Sequence, residues 1–223
     1  RKIKIKAGDY SDCNNANIIC IAAGRNQEVG ETRIDLIEKN LAVFKSIIKE
    51  VNKTKFNGIY LIATNPLDSM TYATMKLSGF PKERVIGSGT TLDTARLRFL
   101  ISEETKINPK NIHAYVIGEH GDSEMIPWSS AMIGLTSVDK FLNVSKKKKI
   151  LKDVRNSAYE IINKKGNTAY GIGMCLRNLT DAILNDSNSI FTVSTYQPNL
   201  KICVGMPTII NRNGVREVLK LDM

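Results

Sequence analysis

Apolar segments and amphipathic segments alternate through the first third of the sequence, and this alternation restricts the fold more than any other feature. Short apolar runs typical of strands occupy residues 3–7, 17–23, 58–64 and 85–86. Apolar residues or helix-ending signals indicate helices at residues 32–53, 67–78 and 91–105. Strands that alternate with helices in this way predict an α/β fold with a parallel sheet.

The pattern changes after the third of these helices. The later sequence predicts one further strand, two helices and a late antiparallel sheet, at residues 112–117, 147–165, 168–184, 191–196, 202–204 and 215–221. Asn211-Arg212-Asn213-Gly214 favours a hairpin turn within that sheet. We expect a domain boundary near Ile86, with residues 1–86 forming the parallel part and residues 87–223 forming an α+β domain.

The net charge of +10 at pH 7 raises the question of a nucleic-acid partner. The one dense basic run, Lys146 to Lys149, contains no aromatic residue, and the other basic residues are scattered. We therefore expect an anionic small molecule as the partner, not nucleic acid. No apolar run approaches the ~20 residues that a membrane span needs, so no membrane association is expected.

The cysteines and the start of the chain bear on the cellular location. Cys13, Cys20, Cys175 and Cys203 show no C-x-x-C spacing and no histidine cluster beside them. The first residues alternate basic and apolar side chains, unlike a secretory leader. These features predict reduced thiols in a cytoplasmic protein without a metal site.

The segment Gly118-Glu119-His120-Gly121-Asp122-Ser123 is the most informative for chemistry. A histidine flanked by glycines at a strand end can be approached closely by a ligand, although a loop histidine without a role is the alternative. On the predicted helix 91–105, Asp93 and Arg96 are three residues apart and share a face. The alternative interpretation of Asp93 and Arg96 is an ordinary ion pair on a helix surface, without a role in chemistry. Arg98 points elsewhere on the same helix.

Six motifs occur together in an order and at a spacing that resemble the lactate/malate dehydrogenase family. They are Gly24-x-x-Gln27-x-x-Gly30-Glu31-Thr32-Arg33, Ala63-Thr64-Asn65-Pro66-Leu67-Asp68, Ser78-Gly79-Phe80-Pro81, Gly87-Ser88-Gly89-Thr90, Leu92-Asp93-Thr94-Ala95-Arg96 and Gly118-Glu119-His120-Gly121-Asp122-Ser123. The resemblance covers nearly the whole chain and weakens after about Ser187. It implies an incomplete Rossmann-type doubly wound sheet followed by an α+β catalytic domain.

The resemblance also implies a hydride-transfer enzyme and a role for each matching residue. His120 would be the acid and base, and Asp93 would hold its other ring nitrogen. Arg96 would bind the substrate carboxylate through two parallel hydrogen bonds, and Arg33 would polarise the carbonyl from a closing loop. Asn65 and Thr168 would line the substrate pocket, although Thr168 is equally compatible with a helix cap.

The same resemblance implies NAD as the cofactor and predicts the substrate. Cofactor contacts would come from Tyr10, Gly24, Arg25, Ser46, Ala63, Thr64 and Asn65. An arginine at the position of Gln27 would match a dicarboxylate, whereas glutamine favours pyruvate and L-lactate, with malate dehydrogenase as the alternative. Arg25 could blur this choice, but the resemblance implies, by the family's spacing, that it contacts cofactor phosphate.

A second anion site is expected at Arg98 and His113. His113 and His120 are seven residues apart, so in an extended segment they face opposite sides. In similar bacterial enzymes such an arginine and histidine bind fructose 1,6-bisphosphate at a subunit interface. The resemblance therefore implies allosteric activation in a homotetramer, with a solvated arginine and a packed histidine as the alternative.

The sequence departs from the family at both ends. No G-x-G-x-x-G turn precedes Arg1, and the stretch Thr195–Lys201 is short. We expect the first two βα units and the closing helix to be absent, the first residues to be the family's third strand, and the activity of this chain to be in question. The alternative outside the enzymes is a binding module: a catalytically silent fragment that keeps the anion site.

Overall fold

The computed structural model describes residues 3–25 and 32–220, apart from the side chain of Arg33. Its nine described strands are β1 Ile18–Ile21, β2 Ile59–Ile62, β3 Val85–Gly87, β4 Ile112–His113, β5 Met132–Ile133, β6 Thr136–Ser137, β7 Ser189–Gln197, β8 Ile202–Asn211 and β9 Gly214–Val218. The described α-helices are α1 Arg33–Val51, α2 Leu67–Ser78, α3 Thr91–Thr105, α4 Val144–Lys165 and α5 Tyr170–Leu184. Short 3-10 helices occupy Tyr10–Asn15, Lys82–Arg84, Pro109–Asn111, Trp128–Ser130 and Val138–Lys140.

Local signals set the ends of the helices. Thr32 caps α1 in a capping box: its hydroxyl accepts from the amide of Asp35 at 3.2 Å, and the Asp35 carboxylate accepts from the amide of Thr32 at 2.9 Å. Gly79 and Gly166 end α2 and α4 with φ of 69° and 85°, which glycine adopts without steric cost. The predicted bounds of α2 and α3 are confirmed.

The larger sheet has the strand order β1-β2-β3-β7-β8-β9. β1, β2 and β3 are parallel, as the alternation predicts, and β7 to β9 are antiparallel. The two groups form one sheet because β7 pairs with β3 through Gly87 and Ser194. The sequence pattern did not indicate this junction. β4, β5 and β6 form a separate small sheet.

Two strand predictions are wrong. Residues 3–7 form no strand, and Ile3 and Ile5 are 76% and 92% exposed. A strand needs a neighbour to complete its hydrogen bonds, and no described strand pairs with these residues. Residues 112–117 pair only at Ile112–His113, with a further bridge from Ile117 to Met125.

The described core consists of three clusters. One lies between α1, α2 and the first strands around Phe44 and Met70. A second lies under α5, around Leu179 and Val193. The third joins α3, α4 and the small sheet. In the part of the chain that the structure describes, no helix is both long and apolar enough to cross a bilayer.

Candidate active site

Buried threonines hold the start of α3 against the segment that leads to His120. The hydroxyl of Thr90 donates to the carbonyl of Val116 at 2.6 Å, and the hydroxyl of Thr94 accepts from the amide of Val116 at 2.9 Å. The hydroxyls of Thr94 and Thr192 lie 2.9 Å apart, which ties both elements to β7. These contacts place the histidine loop beside the helix that carries Asp93 and Arg96.

The loop itself is anchored by a pair of backbone hydrogen bonds between Gly118 and Gly205 of β8, at 2.9 and 2.8 Å. A side chain at Gly205 would place its Cβ 2.6 Å from the Thr90 hydroxyl and 3.0 Å from the Gly118 carbonyl oxygen. Only glycine therefore permits this approach. Gly118 has φ of 92°, which also favours glycine.

Asp93 holds His120 and Arg96 together. Its Oδ2 lies 2.6 Å from Nδ1 of His120, and its Oδ1 accepts from Arg96 at 3.0 Å. Asp93 is 3% exposed. The structure therefore brings together the three side chains that the sequence singled out for proton transfer and carboxylate binding.

Burial and charge act in opposite directions on His120. Burial tends to lower the pKa of His120, but the hydrogen bond and the negative charge of Asp93 outweigh it, and Asp68 and Glu124 add to the effect. The net result is a raised pKa. Since an ionised carboxylate only accepts hydrogen bonds, Asp93 keeps the proton on Nδ1 and leaves Nε2 for exchange with a ligand.

Asp68 fixes the loop from the other side. It belongs to one of the six motifs, but no role was predicted for it. Its Oδ2 accepts from the backbone amide of His120 at 3.0 Å, and its Oδ1 accepts from the hydroxyl of Ser194. Burial raises the pKa of Asp68, while these two hydrogen bonds oppose the rise. Neither Asp68 nor Ser194 carries a periodic signal that could have revealed this contact.

Five of the predicted cofactor residues follow the carboxyl ends of β1 and β2, the edge at which parallel sheets bind nucleotides: Gly24, Arg25, Ala63, Thr64 and Asn65. The buried side chain of Asn40 joins the two strand ends. Its oxygen accepts from the amide of Arg25 at 2.7 Å, and its nitrogen donates to the carbonyl of Asn65 at 2.7 Å. The sequence reasoning missed Asn40, because a single polar residue on a helix carries no such signal.

Gly24 lies close to β2. A Cβ at Gly24 would lie 2.5 Å from the side chain of Thr64, whose hydroxyl donates to the carbonyl of Ala23 at 2.7 Å. Glycine thus lets the two strand ends lie close to each other.

Three of the other predicted site residues lie in the described part of the chain, and no described hydrogen bond joins them to this arrangement. Tyr10 and Ser46 are exposed and make no described side-chain hydrogen bond. Thr168 is exposed two residues before α5, whose cap position is Ala169, so the helix-cap interpretation of Thr168 is wrong. Gln27 and the side chain of Arg33 lie outside the described residues.

Arg98 contacts different residues from Arg96, which is bonded to Asp93. Nε of Arg98 donates to the carbonyl of Ala114 at 3.1 Å, next to the exposed His113. The Arg98 guanidinium lies 4.7 Å from the centre of the Tyr115 ring. The predicted divergence of Arg96 and Arg98 is therefore present in the structure.

Comparison with known proteins covers both parts of the chain. Residues 1–87 match the lactate/malate dehydrogenase NAD binding domain, and residues 90–223 match the lactate/malate dehydrogenase alpha/beta C-terminal domain. L-lactate dehydrogenase 1 of Peribacillus psychrosaccharolyticus is 51% identical over 97% of this chain and 71% of that protein. L-lactate dehydrogenase of Geobacillus stearothermophilus is 50% identical over 100% of this chain and 74% of that protein.

Solved structures give the same result. A lactate dehydrogenase from a Medee basin deep-sea metagenome library superposes with a TM-score of 0.97 at 43% identity, covering 100% of this chain and 74% of that one. The ligand-bound minor L-lactate dehydrogenase of Enterococcus mundtii superposes with a TM-score of 0.94 at 40% identity, covering 97% of this chain and 72% of that one.

Proposed function

The chain belongs to the lactate/malate dehydrogenase family, and we propose that it interconverts pyruvate and L-lactate with NAD as the hydride carrier. One observation carries the proposal: Asp93 binds His120 at 2.6 Å and Arg96 at 3.0 Å, so a proton donor and a carboxylate-binding cation lie side by side. The relatives at about 50% identity are L-lactate dehydrogenases, which favours these substrates.

The edge beyond β1 and β2 suits NAD. Gly24 brings the strand ends together, and the Asn40 side chain fixes the backbone of Arg25 and Asn65 along that edge. Ala63 and Thr64 would line the cofactor, and Tyr10 and Ser46 would add contacts to its outer part. When bound, the nicotinamide ring supplies or accepts the hydride.

His120 moves the proton. In pyruvate reduction the protonated imidazole donates from Nε2 to the carbonyl oxygen as the carbonyl carbon gains the hydride, which yields the hydroxyl of lactate. In lactate oxidation the neutral imidazole takes that proton back. The Asp93 carboxylate stabilises the imidazolium in both directions.

Arg96 binds the substrate carboxylate. One of its terminal nitrogens is committed to Asp93, which fixes the guanidinium plane. Its remaining N–H groups would donate two parallel hydrogen bonds to the carboxylate, an arrangement that lysine cannot reproduce. The substrate carbonyl would then lie towards His120.

Four further residues complete the proposed pocket. Arg33 would polarise the carbonyl and exclude water, and Asn65 would hydrogen-bond the reacting oxygen. Thr168 would lie beside the substrate methyl group. Gln27 would select against a second carboxylate, because an uncharged amide leaves a dicarboxylate unpaired.

The test is NADH oxidation with pyruvate and with oxaloacetate. It is run on the chain and on a fusion that adds the part of the Geobacillus stearothermophilus relative outside the match. We expect pyruvate to be reduced with the higher kcat/KM. A preference for oxaloacetate would assign malate dehydrogenase activity instead. Inactivity of both proteins on both acids would reject the enzyme assignment.

We further propose that Arg98 and His113 bind a sugar bisphosphate such as fructose 1,6-bisphosphate in a cytoplasmic homotetramer. The support is the contact of Arg98 with Ala114, which puts a guanidinium next to the exposed His113 and away from Arg96. Calorimetry with fructose 1,6-bisphosphate should show binding that Arg98→Ala abolishes, while turnover without bisphosphate persists. Equal binding by both proteins would contradict this site. A protein that binds the bisphosphate but does not bind NADH would instead favour a silent binding module.

A further inference from the structure

Glu124 is a buried carboxyl group that the mechanism above does not use. The residue is 2% exposed, and its Oε1 has no hydrogen-bond partner among the described residues. Burial of a carboxyl group without a full set of partners costs free energy. An unpaired group of this kind next to a reacting residue therefore points to a functional role.

The backbone fixes where this carboxyl group lies. The amide of Glu124 donates to the carbonyl of Gly121 at 3.2 Å, and the next residue, Met125, is bridged to Ile117. One carboxylate oxygen of Glu124, one carboxylate oxygen of Asp93 and one ring nitrogen of His120 all lie within 4.8 Å of one another. Glu124 therefore forms a cluster with Asp93 and His120. It lies four residues after His120, at the other end of the same loop.

Charged groups from three elements face Glu124. Asp93 and Arg96 lie on α3, His120 lies in the loop, and Arg155 lies on α4, where its guanidinium donates to the carbonyl of Glu124. The pKa of Glu124 is raised to about 7: burial is the largest cause, Asp93 adds to the rise, and the charges of His120, Arg155 and Arg96 oppose it.

Acidic groups from α2, from α3 and from its own loop face His120. Asp93 contributes most of the charge that raises the pKa of His120, with smaller contributions from Asp68 of α2 and from Glu124. Cys175 of α5 also faces Asp93 and Arg96. Of the acidic groups, Asp93 is already bonded to both His120 and Arg96, whereas Oε1 of Glu124 has no partner in the described structure.

We propose that Glu124 is a positioning residue that acts on His120 by charge: its buried carboxylate extends towards higher pH the range in which His120 keeps the proton needed for carbonyl reduction. The inference about catalysis rests on the proposed function, but the effect on His120 does not. As the pH falls and Glu124 gains its own proton, its negative charge is lost and it no longer favours the protonated form of His120. At high pH, where little His120 is protonated, the charge of Glu124 is fully present.

Proton NMR tests the effect without any need for turnover. The sequence contains 2 histidines, so their ring resonances are readily assigned with a His113→Gln variant. Glu124→Gln keeps the shape of the side chain and removes its charge. We expect it to move the His120 titration midpoint down by about one pH unit, the scale of one charge at this distance in a partly screened site. The ring signal of the exposed His113 serves as an internal reference.

Two control variants separate charge from structure. Glu103→Gln removes an exposed carboxylate from α3, the helix of Asp93, and should leave the His120 midpoint in place. Glu124→Asp keeps a carboxylate and should hold the midpoint nearer to that of the unmodified protein than Glu124→Gln does. A midpoint that stays within about 0.2 pH units in Glu124→Gln would overturn the proposal.

Kinetics test the consequence in a form of the protein that reduces pyruvate. In Glu124→Gln the pH profile of kcat/KM for pyruvate should shift to lower pH, with up to a tenfold loss at about pH 8.5 and no loss at about pH 5.5. A structural defect would instead lower kcat/KM at every pH without moving the midpoint, and that result would reject the role in catalysis. If no form reduces pyruvate, the proposed function fails, and the NMR titration still decides the effect on His120.

Discussion

The backbone amide of His120 donates to Oδ2 of Asp68 over 3.0 Å, a contact between residues 52 positions apart in the sequence. Asp68 lies in the first turn of α2, three residues after Asn65 at the proposed nucleotide edge of the sheet. The contact therefore fixes the histidine loop relative to the edge where the nicotinamide would lie. Hydride and proton must reach adjacent atoms of one small substrate, so this spacing matters for the rate.

Replacement of Asp68 by asparagine should weaken that link. An amide offers one oxygen to the two donors, His120 and Ser194, and turns its NH₂ group towards one of them. We expect kcat for pyruvate reduction to fall about tenfold and the free energy of unfolding to fall by about 1–2 kcal/mol. Steady-state kinetics and urea unfolding measure these effects. Ser194→Ala removes only one of the two hydrogen bonds and should have a smaller effect on kcat; an unchanged kcat in Asp68→Asn would contradict the positioning role.

Replacement of Asp93 by asparagine should affect both the rate and its pH dependence. The carboxylate raises the pKa of His120, so its loss lowers that pKa, and less His120 is protonated at a given high pH. We expect kcat/KM for pyruvate to fall by about 10²–10⁴-fold, with the largest loss at high pH. The pH profile of kcat/KM should move to lower pH. A uniform loss at all pH values would show that Asp93 acts on geometry alone.

Replacement of Arg96 by lysine should weaken substrate binding although the charge is retained. A lysine ammonium cannot donate two parallel, coplanar hydrogen bonds to a carboxylate. We expect kcat/KM for pyruvate to fall about 10²-fold, as measured by initial rates at limiting pyruvate. Arg177→Lys, on the exposed face of α5, makes the same change outside the site and should leave kcat/KM unchanged. Equal rates for Arg96→Lys and the unmodified protein would remove Arg96 from the site.

Replacement of Gly205 by alanine should displace the histidine loop. The new Cβ would lie 2.6 Å from the Thr90 hydroxyl, in a fully buried contact. We expect a loss of about 1–3 kcal/mol in the free energy of unfolding, together with a lower kcat. Gly173→Ala is the matched control, because nothing lies within 4 Å of a Cβ there; in α5 it should stabilise the protein by about 1 kcal/mol. Similar stability changes in the two variants would show that Gly205 tolerates a side chain.

The local parts of the site were predictable from the sequence. The helix of Asp93 and Arg96 begins and ends where its sequence signals indicate, and the spacing of three residues puts both side chains on one face. The glycines around His120 indicated a loop with room for close approach. These two expectations follow from helix and loop geometry over a few neighbouring residues. The cofactor residues, in contrast, were expected from the family resemblance, and Gly24, Arg25 and Ala63 to Asn65 follow the carboxyl ends of β1 and β2.

The strand predicted at residues 3–7 shows where such reasoning fails. The segment alternates suitably, but a strand also needs a partner to complete its hydrogen bonds, and none of the described strands pairs with it. The sequence pattern also did not predict the pairing of β3 with β7, for the same reason. This pairing joins the two predicted sheets into one. Periodicity reports which face of a strand is buried, not which strand lies beside it.

The sequence by itself determined the class of fold and the family, and it singled out His120 and Arg96 as the proposed proton donor and the proposed carboxylate-binding residue. Only the tertiary structure decided how these groups are held and charged: Asn40 between the strand ends, Asp68 behind the His120 amide, and Glu124 buried against the imidazole. The reason is physical. Helix and strand periods are local properties of the chain, whereas burial, hydrogen bonding and pKa depend on which distant residues share a volume from which water is excluded.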